Sequence, residues 1–133
     1  MGYDFEVSDT IPASPHDIYE AWLSSEGHSA MTGADAEVDP SVGGTHSAWD
    51  GYITGCTIAL EPDRRIVQTW RTSEFDDSHP DSQIEVLLAP AGEATMVTIR
   101  HTNVPDGQFG YERGGWQESY FGPMRTYFGG RFR

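Results

Sequence analysis

With 133 residues the chain has the length of one domain, enough to bury roughly two-thirds of its unfolded surface but too little for two cores. Eight basic residues, every one an Arg, stand against twenty-one acidic ones for a formal charge of −13, which disfavours nucleic acid and anionic membranes as partners. The 37% hydrophobic content argues against disorder, and no run approaches the roughly twenty apolar residues of a membrane span.

The expectation is therefore a single unit over residues 1–133. Its amino terminus, MGYDFEVSDT, carries acids where a secretory leader needs a basic start and an apolar stretch, and the lone Cys56 has no partner for an internal disulfide. Both features favour a reducing, cytoplasmic setting. The acidity reads first as a solvated, self-repelling surface; a salt-adapted proteome and a docking face for a basic partner are the alternatives.

In chain order, residues 3–11 predict a strand, because Phe5, Val7 and Ile11 alternate with Glu6, Ser8 and Thr10 at period two. Asp9 falls on the apolar face and breaks the pattern. A helix follows, with Ser14 as N-cap, Pro15 at its first position and Asp17 in its first turn, burying Ile18, Ala21, Trp22 and Leu23. Gly27 and Gly33 bracket a second, weaker helical piece around Met31. From residue 34 onward turn signals recur, at Asp39-Pro40, Gly43-Gly44, Asp50-Gly51, Pro62-Asp63, Pro80-Asp81 and Ala91-Gly92. They predict an antiparallel meander with strands at 34–40, 44–51, 53–61, 65–73, 82–89 and 95–103.

The last segment changes period. Trp116, Tyr120, Met124 and Tyr127 recur at helical spacing, Phe121 and Phe128 widen the apolar arc, and Glu118, Arg125 and Thr126 fall opposite. Pro123 lies inside this helix and should remove one backbone hydrogen bond and kink it, with Gly122 easing the bend. The predicted class is α+β: a curved antiparallel sheet of six to seven strands, two short helices after strand one, and a long carboxy-terminal helix across one face. Alternation points Ile66, Gln68 and Trp70, then Ile84, Val86 and Leu88, then Val97, Ile99 and His101 toward that helix.

Catalytic motifs are sparse. None of His16, His28, His46, His79 and His101 forms an HExxH motif or another close metal-ligand pair, so no metal or cofactor is expected. The serines lack a GxSxG elbow, Asp76-Asp77 reads as a solvated loop pair, and Gly114-Gly115 does not follow a strand in GxGxxG form. Cys56 reads as a small hydrophobe. His101 is either a core histidine satisfied by a carbonyl or a Tyr hydroxyl, or a polar anchor for a ligand. Trp70 and Trp116 either fill the core or stack on a flat ligand, and Tyr120 and Tyr127 bring hydroxyls that need partners. Gln68 is inward and polar, unless the strand register is shifted and puts it in water.

Three stretches, GGTHSAWDGYITG from Gly43, ALEPDRRIVQTWR ending at Arg71 and GGWQESYFGPMRTYF from Gly114, resemble the carboxy-terminal domain of the activator of the ninety-kilodalton heat-shock chaperone's ATPase. The resemblance covers nearly the entire chain. It implies the helix-grip fold of START-like lipid carriers, pollen-allergen-like proteins and aromatic-polyketide cyclases.

Three function classes follow. The first is binding of a small hydrophobic ligand between sheet and terminal helix. Its lining would be Trp22, Met31, Gln68, Trp70, Ile84, Val86, Val97, Ile99, His101, Trp116, Tyr120, Met124 and Tyr127. The second, implied by the resemblance, is a chaperone partner. The third is a cyclase or hydrolase with His101 or a pocket Tyr as general acid/base. Monomer and homodimer both remain open.

Overall fold

In the computed structural model of the chain, which describes residues 2–105, 110 and 114–130, the alternating amino-terminal segment is strand β1 (Gly2–Ile11). Ser14 caps α1 (Pro15–Trp22) by accepting from the Asp17 N–H at 3.1 Å, and Pro15 fills the first-turn position where no donor is needed. Ser24 caps α2 (Ser25–Thr32) in the same way through Gly27, and Gly33 ends it in the left-handed region at φ 84°.

Six further strands complete the sheet: β2 (Glu37–Val38), β3 (Thr45–Ala48), β4 (Ile53–Glu61), β5 (Arg65–Thr72), β6 (Ser82–Ala91) and β7 (Ala94–Pro105). All pairings are antiparallel, and the strands lie in the order β1-β7-β6-β5-β4-β3-β2. Register shifts between Tyr3 and Phe5 and between Thr57 and Ala59 increase the local twist. The predicted strands at 34–40 and 44–51 are shorter than expected. The second stops at Ala48 because Trp49, Asp50 and Gly51 all adopt positive φ (52°, 59° and 89°), which closes a tight hairpin and takes them out of the ladder.

The concave face carries the core. Ile66, Ile84, Val86, Val97 and Ile99 are wholly buried there, together with Ile11 and Ile18. The convex face carries a row of charges that crosses five strands. Glu6 pairs with Arg100 at 3.1 Å, Arg100 with Glu85 at 3.4 Å, Glu85 with Arg65, and Arg65 with Glu61 at 3.1 Å. Exposed pairs of this kind are each worth well under about 1 kcal/mol, so the row specifies the solvent side more than it stabilises the sheet.

The two edges of the sheet differ. At β2 the Ser25 hydroxyl accepts from Val38 N–H at 2.9 Å and donates to Val38 O at 3.4 Å. Just upstream, Ser29 does the same for Ala36, at 2.8 and 3.3 Å. Two serines one helical turn apart thus seal that edge with side chains.

The carboxy-terminal helix is not regular. Gln117–Phe121 is π-helical and Gly122–Gly130 is α-helix α3. Pro123 has no N–H to give, and its disruption is absorbed as a wider turn in which Gly122 N–H reaches back five residues to Gln117 O. A Cβ at Gly122 would lie 2.9 Å from that carbonyl, so glycine is what allows the turn to close. The wider turn also changes which side chains face the sheet. Trp116, Tyr120, Phe121, Met124 and Phe128 are buried, whereas Tyr127 is only half-buried and lies edge-on to Phe128. Arg125, although exposed, reaches Asp9, which explains the acid on the inner side of β1.

Candidate functional site

Under the terminal helix the rings of four elements meet. Trp22 from α1 stacks on Tyr120 with centroids 5.0 Å apart, and Trp116 lies 4.8 Å from Trp70 of β5 and 5.1 Å from Tyr120. His101 of β7 stands edge-on to both Trp70 and Trp116, at 5.7 and 5.8 Å. Met31 and Met124 close the cluster as fully buried apolar neighbours. Twelve of the thirteen side chains expected to line this space are therefore inward, with Tyr127 at the margin.

The polar groups in the cluster are connected in a definite sense. Gln68 is inward, as its strand position predicts; its Oε1 accepts from Trp22 Nε1–H at 3.0 Å and its Nε2 donates to Thr57 Oγ at 3.2 Å. Trp116 Nε1–H donates to His101 Nδ1 at 3.3 Å, so the proton of the neutral imidazole sits on Nε2 and is given to Ser82 Oγ at 2.9 Å. Ser82 in turn donates to the Trp70 carbonyl at 2.7 Å. The Ser82 hydroxyl proton thus points away from the imidazole, the reverse of what a serine nucleophile activated by histidine requires.

His28 is the member that sequence reading missed. Its ring donates from Nδ1 to Trp22 O at 2.9 Å, and its Nε2 accepts from the Tyr120 hydroxyl at 2.9 Å, which ties α2 to the π-helical segment. The spacing of His28, Met31 and Thr32, all buried, is the i, i+3, i+4 signal that could have placed it inward. Burial pushes His28 down to about 4 against the pull of the Trp22 carbonyl, pushes His101 down to about 3, and drives the Tyr120 phenol far above its ordinary range. All three are neutral at pH 7.

One donor in the cluster is left over. Trp70 Nε1–H is buried and has no hydrogen-bond partner among the described residues, although Trp22 and Trp116 beside it are both satisfied. Among the described residues no three His, Cys, Asp or Glu side chains converge as a metal site, and no helix is long and apolar enough to cross a membrane.

Residues 12–129 match the family described as Activator of Hsp90 ATPase homolog 1-like protein. The chain belongs to that family. An Activator of 90 kDa heat shock protein ATPase homolog 1 from Homo sapiens is 27% identical over 123 residues, 92% of this chain and 36% of that protein. The chain spans between 30% and 37% of the length of the curated relatives it matches. Among solved structures, an Hsp90 activator from Plasmodium falciparum superposes with a TM-score of 0.85 at 22% identity, covering 96% of this chain and 97% of that one. An Aha1 dimer from Colwellia psychrerythraea gives 0.75 at 18% identity, covering 93% and 95%. These likenesses establish the helix-grip fold that the family resemblance implies, and the observed order of elements agrees with it.

Proposed function

We propose that this family member binds a small lipophilic molecule beneath its terminal helix, oriented by one hydrogen-bond acceptor given to Trp70 Nε1–H. The observation that carries the reading is that orphaned donor at the hub of the ring cluster. A buried donor without a partner costs about 1–3 kcal/mol, which an entering carbonyl or ether oxygen would recover. Apolar burial supplies the rest, at roughly 25 cal/mol per Å² before ordering costs. Because Trp116 and Tyr120 now touch Trp70, entry moves the π-helical segment outward, at the point where its hydrogen bonding is least regular.

Titration with paired lipophilic probes, one carrying a carbonyl and one a hydrocarbon of equal size, should quench tryptophan emission. Trp70→Phe should weaken the carbonyl probe by roughly tenfold, about one net hydrogen bond, and leave the hydrocarbon unchanged. Absence of any probe-induced change, in emission or in native mass spectra of freshly purified protein, would remove the reading.

The family match favours a second reading, contact with a ninety-kilodalton heat-shock chaperone and stimulation of its ATPase. It expects a several-fold rise in the full-length chaperone's turnover on adding this chain alone. An unchanged rate at saturating protein would rule it out. A cytoplasmic setting accompanies either reading.

A further inference from the structure

We propose that the outer edge of β1 accepts a basic, extended segment of a partner protein as an eighth strand. The inference is independent of both functional readings above. Leu88 N–H bonds Arg64 O, so even-numbered positions of β6 face β5. Carried through the registers of β6 with β7 and of β7 with β1, this alternation turns Phe5, Val7 and Asp9 toward β7. Glu6, Ser8 and Thr10 therefore aim their backbone N–H and C=O groups at the free edge. Thr10 N–H is taken up locally by the Asp9 carboxylate at 2.7 Å, as an outward amide would be. Among the described residues nothing takes up the outward donors of Glu6 and Ser8 or the outward acceptors of all three.

The contrast with β2 is what makes this edge informative. There two serine side chains cap the backbone groups, whereas β1 is ten residues long and no described strand lies beyond it. A long unsealed edge is a template for strand addition.

The surroundings select the occupant. On the outer face beside the edge lies a shallow groove lined in part by Asp4, Glu6, Gln83, Glu85, Arg100 and Thr102, where Glu6 and Glu85 share the one base and the acids outnumber it three to one. On the inner face Phe5 and Val7 are only half-buried at the margin of the core. A strand with Arg or Lys at alternate positions would meet the acids, and its intervening apolar residues would cover Phe5 and Val7. A second copy of this chain fits less well, since it brings another −13 charges to the same edge.

The test uses the full chain and a short synthetic peptide alternating Arg with Val, beside a counterpart with Glu for Arg. The Arg peptide is expected to bind, to shift the backbone amides of Glu6, Ser8 and Thr10, and to weaken with added salt; the Glu peptide is expected not to bind. Ser8→Pro deletes an amide that faces away from β7, so it should keep the thermal midpoint and lower the affinity by about tenfold or more. Glu6→Gln should lower it more modestly. The proposal is overturned if the Arg peptide fails to bind, if its shifts map elsewhere, or if Ser8→Pro binds it as well as the parent chain. Self-association of the parent chain that Ser8→Pro abolishes would equally overturn it, by assigning the edge to a second copy.

Discussion

Replacing Trp22 with alanine is expected to lower the unfolding free energy by about 4 kcal/mol, in line with other buried aromatic truncations. A domain of this size commonly holds roughly 5–15 kcal/mol in total, so the loss takes much of the margin. Three contributions combine in Trp22. The ring is 1% exposed, it stacks on Tyr120 and meets His28 edge-on, and its Nε1–H is the donor to Gln68 Oε1. Removing it opens a cavity between α1 and the π-helical segment and strands the amide oxygen of Gln68. Trp22→Phe separates these effects, because it keeps most of the ring contact and loses the donor. Its cost should be about 1–3 kcal/mol, and adding Gln68→Met should recover only part of it, since the bare Gln68 Oε1 is then gone while Thr57 Oγ loses its donor. Urea unfolding curves with unchanged slope would measure all three. A Trp22→Ala variant within 1 kcal/mol of the parent would show that the ring cluster is not what holds the terminal helix.

Much of this arrangement was legible in the sequence, for local reasons. The alternation of β1, β5, β6 and β7 fixes which side chains point inward, so Gln68, Trp70 and His101 could be assigned to the concave face from period two alone. Ser14 and Pro15 announced α1 through backbone chemistry that acts within one turn. What escaped depends on contacts across long stretches of chain. The bond from Tyr120 to His28 spans 92 residues, and although local spacing can turn His28 inward, nothing near it names Tyr120 as its partner. Asp9 looked like an error in the strand pattern until Arg125 supplied its partner. Pro123 predicted a disturbance, but whether a helix answers proline with a kink or with a π turn depends on the neighbouring glycine and on the packing beneath it. Phe121 and Phe128 lie in the core as the predicted apolar arc has them, whereas Tyr127 is left at its rim.

Stability should fall steeply as pH drops from about 6.5 toward 4, because His28 and His101 are buried as neutral rings. Their folded values, about 4 and about 3, lie below the value near 6.5 expected of an unfolded chain. Between those limits the unfolded state binds two more protons than the folded one, so the native state loses about 2.7 kcal/mol per pH unit where both rings are fully linked. The His46 imidazole, shifted down by burial in the same direction, adds to the slope. The stabilisation is complete above pH 6.5 and lost as pH falls. The chemistry at each ring is specific. A proton on His28 Nε2 would face the Tyr120 O–H and one on His101 Nδ1 would face Trp116 Nε1–H, two donors opposed in each case. Both bonds anchor the terminal helix, so acid should release that helix first, seen as a red shift of tryptophan emission. His28→Gln keeps an acceptor for Tyr120 without a titrating group and should reduce the slope by about half. General acidity acts the other way in this chain: protonating carboxylates reduces a net charge of −13 and relieves self-repulsion. A midpoint in urea that holds steady or rises from pH 6.5 to 4, in the parent and in His28→Gln alike, would therefore mean that the two histidines do not set the acid limit of the fold; a steep fall that His28→Gln reduces identifies them as the groups that do.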